Sequence, residues 1–225
     1  MKQRKIIPEL ILLAVICVLV QSGKKQFDVW LTDGGAVEEK SGKKIAITFD
    51  DGPSKAYTPK LLDGLKKRNV HASFFVIGKQ AEKNPEIIER MYKEGHVIGN
   101  HTYHHLELTK LNKEKERKEI EKTNKVIEKI TGNPPAFIRP PFGAWREENL
   151  KEVELIPVLW DVDPLDWCIR STEEIVRRVV TKAEENDIIL LHDCYETSVE
   201  AALEIIDDLQ KEGYEFVTVD ELVME

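Results

Sequence analysis

The sequence predicts an α/β fold in which a parallel sheet is wrapped by helices and closed into a barrel. Apolar, β-branched segments typical of strands alternate with helical segments about seven times along the chain. With 225 residues, of which 41% are apolar, the chain is long enough for one soluble domain with an ample core. Connections between parallel strands are right-handed, so the carboxyl ends of the strands gather on one face, where such folds carry their sites.

The N-terminal part of the chain differs in composition from the rest. Basic residues within the first five positions precede a continuous apolar run, 11–20. This order is typical of a secretory signal or a short anchor, and the run is shorter than the roughly 20 residues of a stable membrane span. We expect a signal peptide or membrane anchor over 1–22, a polar linker over 23–43 and the folded domain over 44–225. A buried N-terminal core helix is the alternative.

The charge and the cysteine content exclude two further classes of protein. A net charge of -8 argues against a nucleic-acid partner, because binding phosphates calls for a basic stripe. Beyond the N-terminal segment the cysteines are Cys168 and Cys194, too few for a disulfide scaffold. One bridge between them and two free thiols both remain open.

The first predicted strand, 45–49, is mostly apolar and runs into two adjacent carboxylates, Asp50 and Asp51. Gly52 and Pro53 then turn the chain. A turn alone would explain these residues, because Asp and Gly are common in turns for backbone reasons. Two neighbouring carboxylates also repel each other unless a cation or a proton compensates, so a functional site is the second interpretation.

Six further strands are short apolar runs bounded by glycine, proline or polar residues. They are predicted over 71–77, 96–100, 136–138, 156–160, 188–191 and 215–218.

Capping residues mark the helices between these strands. Thr58 precedes a proline that suits the first helical position, and Ser171 with Glu174 three residues on forms a capping box. Gly132 ends the long charged helix that begins near Asn112. The predicted helices begin near 58, 84, 112, 146, 171 and 198.

Five of the strands deliver polar residues at their carboxyl ends. Singly, an Arg or His after a strand is more often an ordinary loop residue. Five at equivalent ends of one fold favour a site on that face. The residues are Asp50 with Asp51, the histidines of 101–105, Arg139, Asp163 with Asp166, and His192.

His101 and His105 give the sharpest local signal. They are four residues apart, so a single helical turn would point both imidazoles the same way. With Asp51 they form a set of two imidazoles and one carboxylate, which suits a divalent metal with open coordination positions. Zinc is the default ion, and iron, cobalt or nickel would fit the same ligands. A solvated surface cluster of histidines is the alternative.

The chain resembles the polysaccharide deacetylases of the NodB-homology type, the family 4 carbohydrate esterases. The resemblance covers roughly Lys44 to the C-terminus and implies a distorted (β/α)7 barrel. It depends on five motifs in the expected order, which are weak singly and highly specific together. They are residues 48–53, 101–105, 139–143, 163–167 and 190–193.

The resemblance also implies roles for the polar residues. Asp51, His101 and His105 would hold the metal. Asp50 would be the general base and His192 the general acid.

Further residues would support this chemistry by the same resemblance. Arg139 would orient the base, and Asp166 would support Arg139 or the acid. The main-chain N–H of Phe142, where the family often has Tyr, would help to bind the oxyanion. Trp167 and Leu190 would line the pocket for the acetyl methyl group.

We therefore expect a metal-dependent hydrolase that removes N-acetyl groups from an N-acetylglucosamine-containing polysaccharide. Peptidoglycan is the first choice, with N-acetylmuramic acid and chitin oligomers as open alternatives. O-deacetylation of acetylated xylan and an inactive sugar-binding module are the competing interpretations. The enzyme is expected to be a monomer, either secreted or anchored to the outer face of a bacterial cell membrane, with N-terminal membrane contact in the second case.

Overall fold

Strand β1, Lys43–Asp50, lies at the centre of a parallel sheet in the computed structural model of this chain. The structure describes residues 42–223, within the unit Lys40–Glu225. The predicted signal or anchor over 1–22 lies outside the described residues, and so does nearly all of the predicted linker. No helix among residues 42–223 is long and apolar enough to span a membrane.

The sheet has seven strands, and every pairing in it is parallel. Its order is β5-β4-β3-β2-β1-β6, and β7 pairs with the first half of β1. The strands after β1 are β2 Ser73–Val76, β3 Val97–Asn100, β4 Phe137–Ile138, β5 Ile156–Pro157, β6 Ile188–His192 and β7 Tyr214–Val217.

The segment after β5 joins the two ends of this order, which makes the sheet a distorted barrel. Just after β5, Val162 forms an isolated parallel bridge with Ile189 of β6. The predicted strand 156–160 is therefore too long: only its first two residues are β structure, and the chain then crosses towards β6. The predicted parallel α/β barrel is confirmed, with one bridge in place of a full strand pair at its seam.

The helices cover the outside of the sheet, and several of them begin and end where capping residues predict. The side chain of Ser171 accepts a hydrogen bond from the N–H of Glu174, and Gly132, with a φ of 82°, caps the longest helix. The predicted helix from 146 is short. The helices are α1 Thr58–Lys67, α2 Gly78–Lys83, α3 Pro85–Lys93, α4 Lys113–Thr131, α5 Glu147–Leu150, α6 Thr172–Val180, α7 Glu196–Lys211 and α8 Val219–Val223.

The alternation of side chains along β1 separates packing from chemistry. Ile45, Ile47 and Phe49 pack into the core that the outer helices cover, while Ala46 packs in a second cluster with side chains of other strands. Since successive side chains point to opposite faces, Thr48 and Asp50 lie on the face of Ala46. A buried carboxylate thus ends a strand whose other residues stabilise the fold.

Candidate active site

A cleft of about 450 Å³ opens at the carboxyl ends of the strands. It is lined by Asp50, Asp51, His101, His105, Pro140, Phe142, Trp160, Asp163, Trp167, Leu190, His192 and Tyr195. A groove of about 510 Å³ beside α3 and α4 is lined mainly by acidic and aliphatic side chains and has no imidazole. The chemistry predicted from the sequence therefore belongs to the first cleft.

Asp51, His101 and His105 come together in that cleft as a metal-ligand set. One ligand atom from each lies within 4.8 Å of the others. The Oδ1 atom of Asp51 is 3.5 Å from Nε2 of His101 and 3.3 Å from Nε2 of His105. This Oδ1 atom is buried without a hydrogen-bond partner among the described residues, as expected of an oxygen that binds a cation. The donor set fits a divalent ion.

A main-chain carbonyl fixes the imidazole of His101 in the orientation that a metal ligand needs. Its Nδ1 lies 2.5 Å from the carbonyl oxygen of Arg139, and the ring is buried. An Nδ1–H that donates to this carbonyl leaves the lone pair of Nε2 facing Asp51. Burial is the main cause that lowers the pKa of His101 to about 3, so the ring is neutral, as coordination requires.

The two histidines do not lie on a helical turn, which corrects the expectation from their spacing. The segment 101–105 is a loop in which Thr102 has a φ of 60° and His105 a φ of 57°. These left-handed conformations, unusual for residues with a Cβ, bring both rings to Asp51. Asn100 stabilises the loop, because its side-chain oxygen accepts from the N–H of Thr102 and its amide donates to the carbonyl of Ile120 in α4.

Arg139 is fully buried and connects β1 to the loop after β4. Its guanidinium donates to Oδ1 of Asp50 at 2.8 Å and to the hydroxyl of Thr48 at 2.7 Å. Phe75 and Trp160 contact its planar group, with ring centroids 4.2 and 5.7 Å away. Burial, the largest effect, raises the pKa of Asp50, while Arg139 and then His192 oppose the shift. A raised pKa makes this carboxylate a stronger base.

His192 faces Asp50 and Asp51 from the neighbouring strand β6. The parallel register pairs His192 with Asp50, so the two side chains leave the same end of the sheet. Asp166 accepts from both the N–H and the Nδ1 of His192, each at 2.8 Å. Of the two partners left open for Asp166, the structure thus selects His192. Burial is the largest effect on the imidazole and lowers its pKa, but Asp166, Asp50 and Asp51 together raise that pKa to about 9.

The three predicted substrate contacts all lie in the cleft. Leu190 is buried below His192 on β6, Trp167 is half-exposed, and Phe142 is 66% exposed. Phe142 has a φ of 61°, and its ring lies 5.0 Å from the ring of His105. The fold therefore brings all ten residues that were assigned a role from the sequence to one cleft or its immediate supports.

Several residues that the sequence did not single out also contribute. Thr48 bonds Arg139 and donates to the carbonyl of Ile189, and Tyr195 lines the cleft. Asp193 accepts from Thr58 at 2.5 Å and packs so closely on Gly52 that a Cβ there would clash with its carboxylate. The sequence offered one indication for Thr48, which lies two residues before the carboxylate that ends its strand and so on the same face. Tyr195 and Asp193 reach their contacts only in the folded chain, so no local pattern indicates them.

The optional bridge between Cys168 and Cys194 is absent, since both are free cysteines. Burial is the largest of the effects that raise the pKa of Cys194 to about 12, so this thiol is protonated at neutral pH.

Comparison with known proteins gives one family. The family model described as polysaccharide deacetylase matches residues 37–158. Peptidoglycan-N-acetylmuramic acid deacetylase PdaC of Bacillus subtilis is 46% identical over 180 residues, which are 80% of this chain and 38% of that protein. Peptidoglycan-N-acetylglucosamine deacetylase PgdA of Listeria monocytogenes is 40% identical over 183 residues, 81% of this chain and 39% of the relative.

A solved structure agrees with the fold. The structure of peptidoglycan deacetylase PdaC from Bacillus subtilis has a TM-score of 0.80 and 45% identity, and the match covers 82% of this chain and 91% of that chain. The present chain spans about two fifths of the length of the two curated relatives named above.

Proposed function

The chain belongs to the polysaccharide deacetylase family, and from this premise we propose that it is a metal-dependent hydrolase of N-acetylated cell-wall polysaccharide. One observation carries the proposal. Asp50, held by Arg139, and His192, held by Asp166, flank the ligand set in one cleft. Hydrolysis of an amide needs this pairing of a base and an acid.

A divalent ion held by Asp51, His101 and His105 would supply a positive charge that polarises the acetyl carbonyl and lowers the pKa of water. Zinc is our first choice because its usual ligands are the nitrogen and oxygen donors present. Cobalt, nickel and iron fit the same donors.

Asp50 accepts the proton of the attacking water in this mechanism. Its carboxylate is held by the guanidinium of Arg139, which fixes the direction of the second oxygen, Oδ2, at 3.7 Å from Nε2 of His101. The buried position keeps bulk water away from the carboxylate. The N–H of Phe142 would add a hydrogen bond to the developing oxyanion.

His192 donates a proton to the leaving nitrogen, because an amine leaves poorly unless it is protonated. A pKa of about 9 keeps the imidazole charged at neutral pH. Asp166 occupies Nδ1, so the proton on Nε2 faces the cleft, where Nε2 lies 3.9 Å from Oδ2 of Asp51. The acid is thus charged and oriented before substrate binds.

Peptidoglycan is the proposed substrate, since both curated relatives described above are named as peptidoglycan deacetylases, one for N-acetylmuramic acid and one for N-acetylglucosamine. Because that polymer lies outside the cell membrane, we propose that the enzyme acts there, either secreted or anchored to the membrane. We propose that it works as a monomer, since the metal-ligand set, the base and the acid all come from one chain.

The test is acetate release by the metal-loaded protein from peptidoglycan fragments, chitin oligomers and acetylated xylan. We expect release from the first, and Asp50→Asn should lower it about 100-fold or more while the protein still binds metal. Asp63→Asn, an exposed carboxylate on α1, is the matched control and should retain activity. Full activity in Asp50→Asn, or release from xylan alone, would contradict the proposal.

A further inference from the structure

Arg170 stands at the rim of the cleft and has no part in the mechanism above. It is exposed, and its guanidinium donates to the carbonyl of Trp167 at 3.2 Å. The guanidinium also lies over the ring of Tyr195, 4.9 Å from the centroid. Trp167 and Tyr195 both line the cleft. The cation is therefore held beside the opening by a hydrogen bond and a cation–π contact.

Arg170 has no carboxylate partner among the residues that the structure describes. Neither of the two contacts described for it is with a carboxylate. A second guanidinium close to the cleft, that of Arg139, is fully buried and bonded to Asp50, so it is closed to a substrate. The planar donors of a half-free guanidinium suit a carboxylate better than they suit a neutral sugar hydroxyl.

The charges around Arg170 indicate which kind of substrate this cation would favour. The chain carries a net charge of -8, and Asp50, Asp51 and Asp163 line the cleft itself. Within the cleft, Arg139, His192 and a bound divalent ion would offset the charges of Asp50 and Asp51. At the rim, Arg170 is a cation that can pair with an acid carried by the polymer. A neutral oligosaccharide carries no charge with which Arg170 could pair.

We propose that Arg170 is a specificity residue that binds a carboxylate carried by the polymer beside the sugar being deacetylated. Two groups of a cell-wall glycan offer this chemistry: the lactyl acid of a muramic residue and the acids of a peptide stem. The inference builds on the proposed function by selecting acidic glycan strands over neutral N-acetylglucosamine oligomers.

Binding to a variant that does not turn over separates this inference from the proposed reaction. Metal-loaded Asp50→Asn is titrated by calorimetry with three probes of equal length. These are a neutral N-acetylglucosamine oligomer, glycan strands with free lactyl acids and no peptide, and strands with intact peptide stems. The same titrations are repeated with Arg170→Gln, and with Arg117→Gln as the control, which removes an equal charge from an exposed position on α4.

We expect Arg170→Gln to weaken binding of an acid-bearing probe about 5- to 30-fold and binding of the neutral oligomer by less than twofold. Loss with peptide-free strands identifies the lactyl acid, and loss only with stem-bearing strands identifies the peptide. Arg117→Gln should change neither.

Equal loss with neutral and acidic probes, or no loss with either acidic probe, would overturn the proposal. If the acid preference is present but the wild-type protein releases no acetate from any probe, the proposed reaction fails and the binding inference stands.

Discussion

At the scale of single residues, two carboxylates of the site have different proposed roles because their cationic neighbours differ. Asp50 and Asp166 are both buried carboxylates within reach of a cation. Arg139, charged at any working pH, orients Asp50, whereas the partner of Asp166 is an imidazole that can give up its proton. In the proposed mechanism, Asp50 accepts a proton and Asp166 keeps His192 protonated.

Asp166→Asn tests this division of roles. The change removes the charge that raises the pKa of His192 while keeping an amide oxygen able to accept a hydrogen bond. We expect acetate release to fall about 10- to 100-fold at neutral pH, because less of the imidazole is protonated. The basic limb of the pH–rate profile should also move to lower pH.

A profile that keeps its basic limb in place would show that Asp166 does not set the charge of His192. Asp161→Asn is a suitable control, since that exposed carboxylate accepts from the N–H of Ile188 and lies outside the cleft lining.

The sequence could predict these residues by type because their positions at strand ends are local. The partner of Asp166 stayed open, since Arg139 and His192 are both distant in sequence and only the folded chain decides between them. Thr48 was missed for a related reason: its hydroxyl matters through Arg139, 91 residues away.

At the scale of elements, helix α4 holds the loop that carries the two histidines proposed as metal ligands. Glu119 on α4 accepts from the N–H of His104 and lies against its Nδ1, each at 2.8 Å. Tyr103 is buried beside it and bonds Glu82 of α2. Because Thr102 and His105 have positive φ, the loop needs outside support to keep both imidazoles at Asp51.

Glu119→Gln should loosen this support without touching a ligand. We expect metal affinity to fall about 10-fold, which is typical when a residue that orients the metal ligands is changed. Calorimetric titration of the metal-free protein with zinc measures it directly, independently of turnover. Glu121→Gln, an exposed carboxylate on the same helix paired with Arg117, is the matched control.

An unchanged affinity in Glu119→Gln would mean that Asn100 and Tyr103 hold the loop on their own. The spacing of His101 and His105 predicted the pairing of the two rings correctly but gave the wrong local structure. A four-residue spacing fits a helical turn and also a loop with two left-handed residues, and the contacts with α4 decide between them.

At the scale of the whole molecule, strand periodicity and the order of the motifs were enough to predict a parallel barrel. They did not predict its seam. The chain leaves β5 after Pro157, and main-chain carbonyls of Val158 and Leu159 accept from Arg139 instead of continuing a strand pair. The buried guanidinium thus takes main-chain carbonyls that would otherwise pair with a neighbouring strand. No local sequence pattern predicts this competition.

His96, far from the cleft, should make the stability of the whole domain depend on pH. Its ring is buried against Phe74, and its Nδ1 accepts from the N–H of Ala72, while Nε2 has no partner among the described residues. Burial first, and then the charge of His71, lower the pKa of His96 to about 4 from its ordinary 6.5. In the unfolded chain this imidazole therefore binds a proton below about pH 6.5, whereas in the folded chain it does so only near pH 4.

Stability is accordingly complete above pH 6.5 and is lost as the pH falls towards 4, by up to about 3 kcal/mol from this residue. His96→Asn keeps an acceptor for Ala72 but cannot titrate. It should lower the unfolding free energy at pH 7 and flatten its decline between pH 6.5 and 4, as measured by urea denaturation of the metal-free protein. His101 is also buried and neutral, so the difference between the variant and the wild type is what isolates His96.

His71→Asn, at an exposed position, is the control and should keep most of the decline of the unfolding free energy between pH 6.5 and 4. An equally steep decline in His96→Asn would assign the acid sensitivity to other groups.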